Sequence, residues 1–304
     1  MVGIRHAALV AVAAGLLLPA SAGGHDGAFA FGAFGTAAVD GVLAPGEWDD
    51  ASTLAFTAAA PGGGTVSGEL RVMNDGEHLY LGVRVATTTP ALSVSFGFDN
   101  DHDGIWPEEG SDGLALGFGV RNGFGDLVLS ARGGCPAGSL CGFHDVDLGG
   151  SVDATGVRTV QGGETHIELA KALDSADDAN DFSLSAGDVV GVGFQIALCD
   201  GAQCVFTQPV PFVVGDIEIL REPTAVERLA ELAAAVDGVG PGASLAAKVA
   251  AAQAALDRGD VPGTLAVLAA LVHELEAQSG KSIAPATAAA LVEDVAEIVR
   301  QLEG

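Results

Sequence analysis

Short segments in which apolar and polar residues alternate occupy much of the chain before residue 221, and they constrain the fold more than any other feature. Two clear examples are Leu79, Leu81, Val83 and Val85, then Leu92, Val94, Phe96 and Phe98. This period of two is typical of strands with one buried face. Asn74-Asp75-Gly76 supplies a turn before the first example, which predicts a hairpin over residues 70–85. The pattern predicts an antiparallel, jelly-roll-like β-sandwich over residues 23–220.

The composition changes at Arg221-Glu222-Pro223, and Ala, Leu, Val and Glu dominate from there on. Apolar residues then recur at helical spacing in four stripes, separated by Gly and charged residues. Their leading members are Leu229 and Leu232, Leu245 and Val249, Leu268 and Leu275, and Leu291 and Val295. The stripes predict a small antiparallel helical bundle over residues 223–304, with Pro223 opening its first helix.

The N-terminus has the three parts of a secretory signal peptide. Arg5 and His6 precede an apolar run, Ala7 to Leu18, and Ala20-Ser21-Ala22 follows as a cleavage site. The run is shorter than the about 20 residues that a membrane-spanning helix needs. Residues 1–22 are therefore predicted to be removed, which makes the mature protein secreted and extracellular, with no membrane insertion.

The charge balance limits the partners. The chain has 13 basic and 40 acidic residues, a formal net charge of -27. Such a surface repels phosphate backbones and anionic lipid, so nucleic acid is not expected as a partner. Divalent cations, neutral sugars and simple solubility all remain compatible with it.

The four cysteines form two local pairs. Cys135 and Cys141 bracket one turn-rich loop, and Cys199 and Cys204 bracket another. In an exported protein this arrangement favours two local disulfides. A zinc site is the alternative, but neither pair has C-x2-C spacing.

The segment from Asp99 to Glu109 is the sharpest candidate for a metal site. Its alternating carboxylates, with Gly104 at the sixth position, match the start of an EF-hand-type calcium loop. Gly110 stands where that loop has a bidentate glutamate, so nearby acids must complete the shell. The predicted ligands of a structural Ca²⁺ are Asp99, Asp101, Asp103, the Ile105 carbonyl, Glu109 and Asp112. The alternative is an acidic, solvated turn between strands.

The sequence from Val39 to Ala51, Val-Asp-Gly-Val-Leu-Ala-Pro-Gly-Glu-Trp-Asp-Asp-Ala, resembles the first motif of family 9 carbohydrate-binding modules. The hairpin over residues 70–85 looks like the next landmark of that family, which shares its sandwich with DOMON-like domains. The resemblance implies a β-sandwich that binds carbohydrate, with Trp48 in its core. The similarity to DOMON-like domains also suggests haem binding, which would require axial Met and His ligands. Met73 is, however, the only methionine left after signal removal.

The C-terminal segment resembles the FIMAH domain, a helical appendage of secreted proteins, through Leu256-Asp257-Arg258-Gly259-Asp260 and Leu275-Glu276-Ala277-Gln278-Ser279-Gly280-Lys281. That family has no assigned chemistry, so the resemblance bears on architecture and export. It leaves open whether the helical domain has a protein partner.

Sugar recognition needs aromatic faces beside hydrogen-bonding groups. Trp106 and Tyr80 are the candidate ligand-binding residues, whereas the family resemblance implies a pair of tryptophans.

Catalytic signatures are weak. The acid pairs Asp145 with Asp147 and Glu164 with Glu168 could support glycosidase chemistry, but they are interpreted as surface charge. The chain is therefore not expected to be an enzyme. The favoured function is binding of polysaccharide or cell-envelope glycan. The alternatives are an extracellular structural or adhesion protein that contacts protein partners, and an accessory domain of a glycoside hydrolase system.

Overall fold

The computed structural model describes residues 29–89, 91–99, 101–102, 110–117, 120–130, 141–175, 181–200, 203–208, 214–240 and 242–303. The predicted signal peptide lies outside the described residues. The chain divides between Leu220 and Arg221 into two compact units, one built of strands and one of helices.

Over the described residues, thirteen strands build the first unit. They are β1 (Phe29–Phe31), β2 (Ser52–Ala59), β3 (Thr65–Asn74), β4 (His78–Val85), β5 (Leu92–Asp99), β6 (Asp112–Gly117), β7 (Phe124–Ser130), β8 (Cys141–His144), β9 (Ala154–Gln161), β10 (Glu164–Ala172), β11 (Val189–Asp200), β12 (Gln203–Thr207) and β13 (Val214–Glu218). A 3-10 turn, Arg121–Gly123, precedes β7, and a short helix, α1 (Asp145–Leu148), follows β8.

The strands form two sheets. The eight-stranded sheet has the order β1-β13-β11-β5-β6-β7-β8, with β12 also paired to β11, and the five-stranded sheet has the order β2-β3-β4-β10-β9. The pairs are antiparallel except β1 with β13, which is parallel. The predicted β-sandwich is confirmed, and so is its hairpin, since β3 ends at Asn74 and β4 begins at His78.

The main core fills the space between the two sheets. The alternating residues that predicted the strands supply it: Leu81 and Val83 are at most 1% exposed, and so are Val94 and Phe98. Phe194 stacks on Phe96, with ring centroids 4.7 Å apart. Burial of these apolar faces is the main stabilising contribution in this unit.

A second, smaller apolar cluster lies on the other face of the five-stranded sheet, beneath the segment that carries the sequence motif of residues 39–51. Trp48, Met73 and Tyr80 are its large members, and Trp48 is 1% exposed, as predicted for a core residue. The indole lies over Gly82, where a Cβ atom would come within 3.1 Å of the ring. Any larger residue at position 82 would therefore displace Trp48.

The second unit consists of four helices: α2 (Ala225–Ala235), α3 (Ser244–Asp257), α4 (Val261–Gln278) and α5 (Pro285–Glu303). The predicted helical bundle is confirmed. The prediction that Pro223 opens the first helix is wrong, because Thr224 caps it: its hydroxyl accepts from Glu227 N–H and the Glu227 carboxylate accepts from Thr224 N–H. This capping box satisfies two backbone donors at the helix start.

The apolar stripes of the four helices meet in a core of their own, in which Leu229, Val249, Leu268 and Ile298 have no exposed surface. None of the described helices combines the length and the apolar character that crossing a membrane would need.

Candidate functional site

A group of charged side chains lies between the two sheets, on the same inward-facing sides of the strands as the apolar core residues. Asp112 alternates in phase with the buried Leu114 and Leu116 of β6, and Asp126 stands opposite Leu114 on β7. Residues two apart on a strand share a face, so both carboxylates point into the space between the layers. Both are at most 2% exposed.

Lys171 approaches the same space from the five-stranded sheet. It is in phase with Ile167 and Leu169 on β10, and its side chain is 2% exposed. Its ammonium lies 3.2 Å from an Asp112 oxygen and 3.3 Å from an Asp153 oxygen. It also forms an ion pair with Asp181, and it sits 4.9 Å from the centre of the Phe182 ring.

Two further carboxylates complete the cluster. Asp145 is the first residue of α1, and Asp181 lies on the connection that leads to β11. One oxygen from each of Asp112, Asp126, Asp145 and Asp181 lies within 4.8 Å of the others, and all four residues are buried. These four residues are called the carboxylate cluster below, and an arrangement of this kind could hold a metal ion.

The electrostatics of the carboxylate cluster are unfavourable to ionised acids. Burial, then the charges of Asp126 and Asp181, raises the pKa of Asp145 to about 8. Burial, then the charge of Asp181, raises the pKa of Asp126 to about 7, although Lys171 opposes the shift. The pKa of Asp112 is also well above its usual range, mainly because of burial. For Lys171, burial favours the neutral amine, but the surrounding carboxylates outweigh it and raise the pKa.

The sequence-predicted calcium ligands are only partly within the described residues. Asp103, Ile105 and Glu109 lie outside them. Of the described ones, Asp112 belongs to the carboxylate cluster, whereas Asp99 is buried but not part of it and Asp101 is exposed. The predicted ligand set thus remains a prediction, and Asp112 is its one described member in the carboxylate cluster.

The interpretation of Asp145 and Glu168 as surface charge is wrong, since they are 1% and 0% exposed. A phase argument could have found the buried charges: Asp112 and Lys171 continue the alternation of the apolar residues beside them. The sequence contains many acids, so the few buried ones do not stand out. In addition, spacing along one strand does not reveal which acids from other strands lie nearby.

Glu168 organises the motif of residues 39–51. Its carboxylate accepts hydrogen bonds from the Trp48 indole at 3.0 Å and from the backbone N–H groups of Asp40, Gly41 and Val42 at 2.6–3.2 Å. Burial raises the pKa of Glu168, while the hydrogen bonds from Gly41 and Trp48 oppose that shift. These hydrogen bonds hold the 39–51 segment on the sheet, so its motif residues have a structural role.

Tyr80 is not available as a sugar-stacking residue. Its ring is 5% exposed beneath the 39–51 segment, and its hydroxyl donates to Asp75 Oδ2 at 2.7 Å. The prediction that Tyr80 contacts a ligand is wrong, because the face of the sheet on which it lies is covered. Trp106, the other candidate, lies outside the described residues.

Among the described residues, the outer face of the eight-stranded sheet carries polar and small residues beside the exposed ring of Phe206. Register aligns Ser93 with Ala197 and Ala197 with Phe206, and it aligns Ser95 with Gln195. Because the alternate residues Ile196 and Leu198 point into the core, these residues point outward. Phe206 is 66% exposed and Gln195 is exposed.

A disulfide anchors the strand that carries Phe206. Cys199 on β11 is bonded to Cys204 on β12, two residues before the ring, which confirms this pair of the two predicted disulfides. Cys135 lies outside the described residues, so the other disulfide stays a prediction. Sequence reasoning passed over Phe206 because phenylalanine in a strand is usually core.

A scan against protein-family models finds no match to this chain, and a search of the curated proteins finds none either. The solved structures similar to it include a family 9 carbohydrate-binding module from Caldicellulosiruptor kristjanssonii in complex with cellotriose: 14% identity, TM-score 0.44, covering 64% of this chain and 94% of that one. The glucose complex gives 14% identity and a TM-score of 0.43, covering 64% of this chain and 97% of that one. Similarity at this level assigns neither a ligand nor a family to this chain.

Proposed function

We propose that this protein is a secreted, non-catalytic module that binds polysaccharide or cell-envelope glycan through the outer face of the eight-stranded sheet. The observation that carries the proposal is the exposed ring of Phe206 in register with the half-buried Ser93, beside the half-buried Ser95 and the exposed Gln195; Ala197, which lies between Ser93 and Phe206, is itself buried. Phe206 offers an apolar ring face, and the serines and glutamine offer hydroxyl and amide groups that pair with sugar hydroxyls.

The sequence resemblance to family 9 modules supports the same function independently of this surface. The residues that carry the resemblance, including Trp48, pack in one apolar cluster, and the Trp48 indole donates a hydrogen bond to Glu168. A predicted signal peptide, a net charge of -27 and a disulfide fit an extracellular role. In this proposal Trp106 is a further ligand-contacting residue, and a calcium ion has a structural role.

The test is a glycan array followed by affinity electrophoresis on soluble polysaccharides, with and without calcium. We expect at least one glycan class to bind, and Phe206→Ala to weaken that binding at least tenfold, which corresponds to about 1.4 kcal/mol. Val160→Ala is a matched control, because Val160 is also exposed on a strand but belongs to the five-stranded sheet. Trp106→Ala is expected to abolish binding.

Two results would contradict the proposal. Unchanged affinity in Phe206→Ala would remove the outer face as the binding surface. An array with no positive glycan would favour the alternative, an extracellular structural or adhesion protein, and an activity screen on the positive glycans tests for catalysis.

A further inference from the structure

We propose that the carboxylate cluster is a binding site for a divalent cation, calcium, in which Asp112, Asp126, Asp145 and Asp181 are the ligands. This inference extends the calcium part of the proposed function and is independent of whether a glycan binds. In this proposal the ion lies between the two sheets. Asp112 is the one described residue that belongs both to this site and to the calcium ligands predicted from the sequence.

The charges around Lys171 do not balance. Five carboxylates, the four of the cluster and Asp153, surround the single ammonium of Lys171. Fully ionised, these groups carry a net charge of -4. Charges removed from water need partners of opposite sign or must be neutralised. A divalent cation at the point where the carboxylates converge reduces that charge from -4 to -2.

Lys171 does not reach all of these acids. An ammonium has three N–H donors, and the Lys171 ammonium contacts Asp112, Asp153 and Asp181. Asp145 is 1% exposed, and neither of its oxygens has a hydrogen-bond partner among the described residues. Oδ1 of Asp126 is in the same situation, while its Oδ2 accepts from Asp153 N–H at 3.0 Å. A buried carboxylate without a donor is costly, so Asp145 points to a missing partner.

The spacing of the cluster oxygens matches the size of a calcium ion. Calcium–oxygen distances are about 2.3–2.6 Å, so two ligands on opposite sides of the ion stand roughly 4.6–5.2 Å apart. The four cluster oxygens lie within 4.8 Å of one another, which suits an ion of this radius at their centre. Four carboxylates can provide the six to eight oxygens that calcium takes, because each binds through one oxygen or two.

The ligand chemistry selects the metal. The four ligands are all oxygen donors, which suits a hard cation and disfavours zinc and copper, since these take histidine or cysteine. Magnesium has shorter bonds, about 2.0–2.1 Å, and keeps several of its waters. A site whose ligands are 0–6% exposed leaves little access for such waters. Calcium therefore fits this site better than magnesium.

The experiment measures thermal unfolding of the full mature chain after EDTA treatment, with calcium chloride or magnesium chloride added and no glycan present. We expect calcium to raise the Tm by several degrees, because a ligand that binds only the folded state stabilises it. Magnesium should give a smaller rise. Isothermal titration calorimetry with calcium should show a stoichiometry of one bound ion per chain.

Two matched double variants locate the ion. Asp126→Asn with Asp145→Asn is expected to abolish the calcium-dependent rise in Tm. Asp101→Asn with Asp147→Asn makes the same change of charge at exposed positions, one in the predicted loop and one in α1, and should keep the rise. Asparagine preserves the shape of aspartate, and removing two buried charges should leave the metal-free Tm equal to or above that of the wild type.

The single variant Asp145→Asn gives a second measurement if the double variant does not fold, and its calcium affinity should be at least tenfold weaker. The proposal is wrong if calcium does not raise the Tm of the wild type, or if the rise persists in the cluster variant. If the exposed pair abolishes the rise instead, the ion lies in the acidic loop. A larger rise with magnesium than with calcium would overturn the choice of metal.

Discussion

At the scale of single residues, one buried carboxylate holds a whole segment against the sheet. Glu168 is fully buried and accepts four hydrogen bonds from the 39–51 segment, one of them from Trp48. Gly41, one of the donors, has a φ of +86°, a conformation that side-chain-bearing residues rarely adopt. The residues that make this stretch recognisable in the sequence are therefore conformational and packing requirements around one acceptor.

Glu168→Gln tests this role. Glutamine replaces one acceptor oxygen by an NH₂ group, which would face N–H donors, so at least one buried donor loses its partner. We expect a loss of about 2–4 kcal/mol in the free energy of unfolding, measured by urea denaturation. Glu164→Gln, on the same strand but more exposed, should change it by less than about 1 kcal/mol. Equal effects of the two substitutions would show that the carboxylate of Glu168 is dispensable.

The turn between β3 and β4 depends on a second carboxylate, Asp75. Its oxygens accept from the backbone N–H groups of Glu77 and His78 and from the Tyr80 hydroxyl, each at 2.7 Å. Burial alone would raise the pKa of Asp75, but these hydrogen bonds outweigh it and the pKa is lowered. The folded-state pKa of Asp75 thus lies below its unfolded value of about 3.9. Asp75 therefore contributes stability above about pH 3.9, and this contribution is lost as the pH falls through the folded-state pKa.

Tyr80→Phe should therefore have a pH-dependent effect. The substitution removes the hydroxyl donor but keeps the buried ring, and we expect a loss of about 1.5–3 kcal/mol at pH 7. The difference between variant and wild type should shrink as the pH falls through the lowered pKa of Asp75, because protonated Asp75 is a weaker acceptor. Urea denaturation at pH 7 and at a series of acidic pH values measures it. A difference that stayed constant or grew on acidification would contradict the role assigned to Asp75.

At the scale of elements, the sequence predicted the strands well because each strand is half buried and its apolar residues report the buried face. The alternation in β4 and β5 and the turn at Asn74-Asp75-Gly76 all correspond to observed elements. The same logic applied to the four helices, whose stripes form one core. Helix starts were less predictable, because the proline signal at Pro223 competed with the capping box of Thr224 and Glu227.

The carboxylate cluster could not be predicted in this way, because it is made by register and packing between distant elements. Asp112 and Asp126 meet through the pairing of β6 and β7, Lys171 comes from the opposite sheet, and Asp145 and Asp181 come from connecting segments. A pattern along one strand identifies which face a residue is on, but not which residue faces it across the core. The exposed position of Phe206 was unpredictable for the same reason, since it depends on how β12 lies at the side of β11.

At the scale of the whole molecule, the two units have separate apolar cores, one between the sheets and one among the helices. Both tryptophans, Trp48 and Trp106, belong to the first unit, whereas residues 221–304 contain neither. Tryptophan fluorescence thus reports on unfolding of the sandwich. Circular dichroism at 222 nm reports mainly on the helices. The chain therefore offers separate signals for the stability of its two units.

Leu268→Ala tests whether the two cores stabilise their units independently. Leu268 has no exposed surface, so its truncation should lower the free energy of unfolding of the helical unit by about 2–5 kcal/mol. The dichroism transition should move to lower urea concentration while the fluorescence transition stays in place. Leu169→Ala, an equally buried leucine of the sandwich, should do the reverse. If either substitution moved both transitions equally, the chain would unfold as one cooperative body, because loss of packing in one core would then be transmitted to the other.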